Sequence, residues 1–221
     1  MSFKPRSFIS LALATVCVAT TASTFAADRP EDQMLVVQAQ QTYERFLSDP
    51  DFPWIKKHRH EAFGYVIVPK VVKASLIIGG SGGHAVLVVK GEKGWLGPAF
   101  YNFGTASAGL QVGIQNMEGV MFIMKKKGLD SLMAKSLKFG VDASIAIGPV
   151  GSGVAGDADF VVFMRSKGLA AGGSVNGSVV DPAETLNNAH YGKDVTPIDI
   201  VVTGNVKPLK TDAPLLAAVA K

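Results

Sequence analysis

From Gly64 onward the chain is written in short apolar runs, rich in Val and Ile, set between clusters of glycine. Tyr65-Val66-Ile67-Val68, Ala74-Ser75-Leu76-Ile77-Ile78 and Ala85-Val86-Leu87-Val88-Val89 are the clearest of these. Runs of this length, β-branched and punctuated by glycine, fit strands joined by tight turns and do not fit long helices. Gly79-Gly80-Ser81-Gly82-Gly83 reads as the turn of a hairpin, and Pro69 as the end of the strand before it. Further strands are expected at Gly94 to Tyr101, Ala106 to Ile114, Val120 to Met124, Ala143 to Ile147, Asp159 to Met164 and Gly173 to Val179. No linker divides the chain. The fold class expected is α+β: a single domain of many short, mostly antiparallel strands in a twisted sheet or partial barrel. An N-terminal helix precedes them, and short helices lie between and after them.

The helices announce themselves by capping residues and spacing. Residues 28–48 carry Leu35, Ala39, Thr42 and Phe46 on one face, widened by Val36, Tyr43 and Leu47. Glu31 and Asp32 suit the positive end of that helix. Pro53 suits the first turn of a short helix, and another is expected at Leu129 to Met133. Asp181, Pro182 and Glu184 look like N-cap, first position and capping box of a helix reaching Tyr191. Thr196-Pro197 opens a short turn of helix, and Asp212 to Lys221 a final one.

The first residues read as an export signal. Lys4 and Arg6 precede an uncharged stretch from Ser7 to Thr21, and Thr24-Phe25-Ala26 offers small residues for cleavage after Ala26. The expected organisation is therefore a signal peptide at 1–26, a helical segment at 27–63 and a strand-rich core at 64–221, the last two forming one domain. The expected location is outside the cytoplasm, in a periplasm or peripheral to a bacterial outer membrane. Cys17 falls in the signal, so the mature chain would have neither disulfide nor thiolate metal site.

Cleavage also removes Lys4 and Arg6. Charge falls from +4 to +2, with 20 basic against 18 acidic residues. So small an excess argues against nucleic acid as a partner.

Two motifs look catalytic on paper. Gly79 to Gly83 matches G-x-S-x-G around Ser81, but a strand-like run follows where a nucleophile elbow needs a helix. Gly151-Ser152-Gly153-Val154-Ala155-Gly156 matches G-x-G-x-x-G, but Asp159-Phe160-Val161-Val162-Phe163, again a strand, follows where a dinucleotide site needs a helix. His58, His60, His84 and His190 show no third-ligand spacing and read as surface or adventitious histidines. No catalytic residues, no metal and no cofactor are expected, and the chain reads as a non-enzyme.

The segment Trp54-Ile55-Lys56-Lys57-His58-Arg59 joins an aromatic ring to a cationic cluster. Such a segment can sit at lipid headgroup level. The same pattern equally fits solvated charges beside a core tryptophan. Lys70, Lys73 and Lys125-Lys126-Lys127 add further basic spots.

The strand region resembles the SYLF domain family, a lipid-binding domain also found in actin-bundling endocytic proteins of yeast. The resemblance runs from about Gly64 to Gly204. Its pieces are Pro69-Lys70-Val71-Val72-Lys73-Ala74, Gly94-Trp95-Leu96-Gly97-Pro98-Ala99, Gly109-Leu110-Gln111-Val112-Gly113-Ile114-Gln115 and Ala146-Ile147-Gly148-Pro149-Val150-Gly151. Arg165-Ser166-Lys167-Gly168-Leu169, Gly177-Ser178-Val179 and Asn188-Ala189-His190-Tyr191-Gly192 complete it. The resemblance implies phospholipid binding, often of phosphoinositides, and in some members actin binding. It makes Lys70 and Lys73 candidates for headgroup contact, beside Trp54, Lys56, Lys57 and Arg59. Ser152 stands where eukaryotic members commonly have Arg, and the first helix carries Asp28, Glu31, Asp32 and Glu44 where theirs tends to be basic. These departures move the expected partner from inositol lipids and actin to an anionic phospholipid membrane surface, with an envelope protein partner as the alternative.

Overall fold

The computed structural model describes residues 30–75, 78–108, 113–148, 157–166, 169–170 and 177–221. The export segment and the G-x-G-x-x-G run at 151–156 lie outside them. The architecture is α+β. Helix α1 (Glu31–Ser48), helix α2 (Pro53–His58) and a 3₁₀ turn (Arg59–Glu61) lead into four long strands: β1 (Gly64–Ser75), β2 (Ile78–Gly91), β3 (Gly94–Ala108) and β4 (Gly113–Ile123). Helix α3 (Lys126–Leu132) and short strands β5 (Leu137–Lys138) and β6 (Ile145–Ile147) follow. Then come β7 (Phe160–Ser166), β8 (Leu169–Ala170), β9 (Ser178–Pro182), α4 (Glu184–Tyr191), α5 (Pro197–Val201) and α6 (Ala213–Ala220).

The strands form one sheet in the order β5-β9-β3-β2-β1-β4-β7-β6, with β8 paired to β7. All pairs are antiparallel except β6 with β7. The sheet curls strongly. Its path ends at β5 on one side and β6 on the other, yet the chain joins these two strands through 139–144 alone. Phe139 meets the β7 residue Phe160 edge-on, with ring centroids 5.0 Å apart. A twisted sheet that brings its edges together hides them from pairing with other chains.

Strand alternation divides the core in two. Val66, Val68, Ala85, Leu87, Tyr101, Met121 and Val162 fill the hollow of the sheet, together with Leu132, Phe139 and Ile200. Tyr65, Ile67, Val86, Val88, Phe100, Phe122 and Phe163 face the opposite layer, made by α1, α2 and α6. Helix α1 buries Leu35, Val36, Ala39, Thr42, Tyr43 and Phe46 against it, as the spacing predicts.

The first four strands are longer than the sequence suggests. Strand β1 runs through Pro69, where its register shifts against β2 between Ile67 and Lys70 and against β4 between Val68 and Val71. A bulge leaves a backbone position unpaired, so the N–H that proline lacks is not missed. Gly79 to Gly83 is not a turn. All five residues pair with both β1 and β3. The reason is visible at Gly83, where a Cβ would stand 2.1 Å from the carbonyl oxygen of Lys70. Only glycine allows the strands so close beside the bulge. The helix expected from Asp181 starts later. Asp181 and Pro182 belong to β9, and α4 has no side-chain cap. Asp181 instead accepts a hydrogen bond from Nδ2 of Asn102, its cross-strand partner, at 3.0 Å. At α5 the expectation holds: Thr196 and Asp199 form a reciprocal capping box.

Candidate functional site

The basic segment is a short helix fastened to the sheet. Proline at the first turn of α2 starts it where an N–H would be unpaired. Ile55 is fully buried. The Trp54 ring stacks on His58 at 4.8 Å and meets Phe122 and Phe163 at 5.6 and 5.4 Å. Trp54 is thus a half-buried strut that fixes α2 against the sheet. Lys56 and Lys57 point to solvent, and neither has a carboxylate within ion-pair distance among the described residues. Arg59 is half-buried, and its guanidinium acts on the Tyr43 and Tyr65 hydroxyls. Burial raises both tyrosines above the ordinary phenol value, and Arg59 opposes that rise. Its backbone carbonyl accepts from the Tyr65 hydroxyl at 2.7 Å.

Lys70 and Lys73 are elsewhere. The α2 segment joins β1 at Gly64, and Lys70 lies six residues further along the strand, roughly 20 Å away. Lys70 is exposed on the α1 side and lines two clefts of about 360 and 340 Å³ that flank α1. Lys73 is placed by backbone pairing with Ser81 and Gln115. The residues singled out from the sequence therefore lie in two places: Trp54, Lys56, Lys57 and Arg59 before the start of β1, and Lys70 and Lys73 in its second half.

Two clusters of charged residues form that the sequence does not predict. His190 is not a surface histidine. It is buried in α4, with Nδ1 2.7 Å from Asp32 of α1 and Nε2 3.2 Å from Asp212 just before α6. Burial pulls the imidazole pKa down, and the hydrogen bonds and charges of Asp212 and Asp32 more than reverse this, so it is raised above the ordinary histidine value. Both ring nitrogens face carboxylates, so both carry hydrogens. One turn earlier, Asn187 fastens α4 to β3. Its side chain accepts from the Phe100 N–H and donates to the Phe100 carbonyl, both at 2.9 Å.

A second cluster lies at the other end of α1. Arg165 of β7 donates to Asp49 at 2.5 Å and to Glu118 at 2.6 Å, and its guanidinium lies 4.8 Å from the Phe46 ring centre. Arg45 pairs with the same Glu118 and with Thr42. Burial alone would raise the Glu118 pKa, but the two arginines hold it below the usual carboxylate range. Local spacing could not signal either cluster, because His190 and Asp32 are 158 positions apart and Arg165 and Asp49 are 116.

The remaining candidates are quickly placed. Ser81 lies mid-strand in β2, paired with Lys73 and Thr105, and not on a strand-to-helix turn. His58 and His60 both approach Glu61. Among the described residues, no three His, Cys, Asp or Glu side chains converge as a metal site. No described helix is long and apolar enough to cross a membrane.

A family model described as "Ysc84: Las17-binding protein actin regulator" matches residues 104–221, more than half of the chain. The chain belongs to this family. It is the family to which the SYLF resemblance points. LAS seventeen-binding protein 3 of Saccharomyces cerevisiae is 27% identical over 155 residues, which is 66% of this chain and 34% of that protein. Protein YSC84 of the same yeast is 28% identical over 174 residues, 74% of this chain and 36% of its own length. Human SH3 domain-containing YSC84-like protein 1 is 23% identical over 150 residues, 64% and 44% of the two chains. The chain thus spans well under half the length of these curated relatives.

Proposed function

We propose that this family member is a non-enzymatic phospholipid-binding domain of the bacterial cell envelope, exported and docking on anionic membrane surfaces. One observation carries the reading. Lys56 and Lys57 are exposed and have no ion-pair partner among the described residues, on a helix whose other side is locked into the core by Ile55 and Trp54. Rigid cations without internal partners are suited to lipid phosphates, each contributing about 1 kcal/mol near an anionic surface. The export-type N-terminus supports the location. Lys70 and Lys73, at the far end of β1, are the reserve candidates.

The test is co-sedimentation with vesicles of phosphatidylcholine alone and of phosphatidylcholine mixed with phosphatidylglycerol. Binding is expected only to the anionic vesicles and to weaken with salt. Reversing Lys56, Lys57 and Arg59 to Glu should lower affinity roughly a hundredfold or more. Unchanged binding and salt dependence would remove this site.

A protein partner is the second reading, favoured by Ile198 and Val202. Both are substantially exposed on or just after α5, and Ile198 lines a cleft of about 570 Å³. One protein recovered by crosslinking in the periplasm, with no vesicle binding, would favour it.

A further inference from the structure

The register of the long strands gathers more than α2 at the Gly64 end of the sheet. Gly64 pairs with Val89 and with Ile123, so the β2–β3 turn and the start of α3 stand beside the 3₁₀ turn. Phe63 lies at this end, just before Gly64. Its N–H donates to the Ile123 carbonyl at 2.8 Å, and its own carbonyl accepts from the Lys90 N–H at 2.8 Å. The backbone is therefore pinned on both sides, while the ring is 43% exposed. A large aromatic ring held in solvent by a sheet that cannot release it is buried only when something outside covers it.

The charges around it indicate what that is. Lys90, Lys93, Lys56 and Lys57 are exposed and have no ion-pair partner among the described residues. The acids at the same end are Glu61, hydrogen-bonded to the His58 ring at 3.0 Å, and Glu92 in the turn. Lys125, Lys126 and Lys127 are matched by Asp157, Asp130 and Asp159 and add no free charge. An apolar ring within a rim of free lysines complements an anionic bilayer, whose phosphates meet the rim and whose interface accepts the ring.

We propose that the protein stands on the membrane by this end of its sheet, with Phe63 inserted at headgroup level and Lys56, Lys57, Lys90 and Lys93 on lipid phosphates. This rests on the membrane-docking reading and gives it an orientation. Phe63 takes the role of interfacial anchor that the sequence suggested for Trp54, whose ring is engaged inside. Lys70, in the middle of β1 and roughly 20 Å from its Gly64 end, is not part of this contact.

The test uses the full chain with phosphatidylcholine and phosphatidylglycerol–phosphatidylcholine vesicles. Phe63→Ser should weaken binding to the anionic vesicles about tenfold, from the apolar area no longer buried. Its melting temperature should match the parent, because the ring belongs to neither half of the core. In Phe63→Trp, brominated lipid should quench emission beyond the parent's Trp54 and Trp95 signal, with anionic vesicles only. If the Lys56, Lys57 and Arg59 reversal abolishes binding while Phe63→Ser does not, and Phe63→Trp shows no added quenching, the orientation is wrong and the docking reading stands. If the parent binds neither vesicle, both fall.

Discussion

Helix α1 is held at its two ends by two kinds of ionic clamp. At its N-terminal end Asp32 meets His190, which also meets Asp212, and all three are buried. At its C-terminal end Arg165 joins Asp49 and Glu118, with Arg45 completing the cluster from a side chain that is 46% exposed. The first clamp depends on a histidine whose side chain has no access to water and whose pKa is raised above its ordinary value. The second rests on guanidinium groups that stay charged at any ordinary pH, Arg165 buried and Arg45 at the exposed edge. A buried cluster with a single cation is hard to repair once that cation is lost, whereas the second cluster keeps Arg45 on Glu118 when Arg165 is removed.

That contrast can be broken most directly at its buried end. His190→Ala leaves Asp32 and Asp212 facing each other without a cation and opens space beside Phe100 and Tyr191, whose rings contact the imidazole. A loss of about 3–5 kcal/mol is expected in chemical denaturation. Arg165→Ala should cost less, about 2–3 kcal/mol, because Arg45 stays with Glu118 while two charged hydrogen bonds and the contact with Phe46 go. Equal losses in the two variants would mean that burial does not set the difference.

The gentlest probe is pH, which removes charge without removing atoms. His190 has its folded pKa raised above the ordinary value of 6.5, so its contribution is complete below about 6.5 and is lost as pH rises through the raised value. Glu118 has its folded pKa lowered from 4.5, so its contribution is present above that value and is lost as pH falls through the lowered one. The two clamps should therefore fail on opposite sides of a stability plateau. Melting temperature followed against pH should lose its alkaline decline in His190→Ala and part of its acid decline in Glu118→Gln. A His190→Ala profile parallel to the parent's at high pH would show that the histidine does not titrate there.

Much of the fold was legible in the sequence, and where it was not the reasons are particular. The face of α1 was readable because Leu35, Ala39, Thr42 and Phe46 follow helical spacing and nothing distant overrides it. Strand content was readable from the Val-rich runs. Strand length was not. Pro69 and the glycines from 79 to 83 carry strong local signals for interruption, and a bulge and a close strand crossing turn those signals into continuity. The Asp181–Glu184 pattern failed similarly, because pairing with Asn102 claimed the aspartate first. For the candidate site, the exposed Lys56 and Lys57 were foreseen. The inward turn of Trp54, the separation of Lys70 and Lys73, and the exposure of Phe63 were not.

The sequence by itself determined the composition of this protein's parts: where helix and strand content lies, which faces are apolar, where basic residues cluster, and the order of motifs that places it in its family. Those are decided by neighbours within a few residues, through spacing and backbone preference. Only the tertiary structure decided which charges are paired and which remain free. It brought His190 to Asp32 and Asp212, gave Arg165 to Glu118 and Asp49, and left Phe63 uncovered among lysines. Those outcomes depend on which strand lies beside which, and register between segments far apart in the chain is fixed by the packing of the whole sheet.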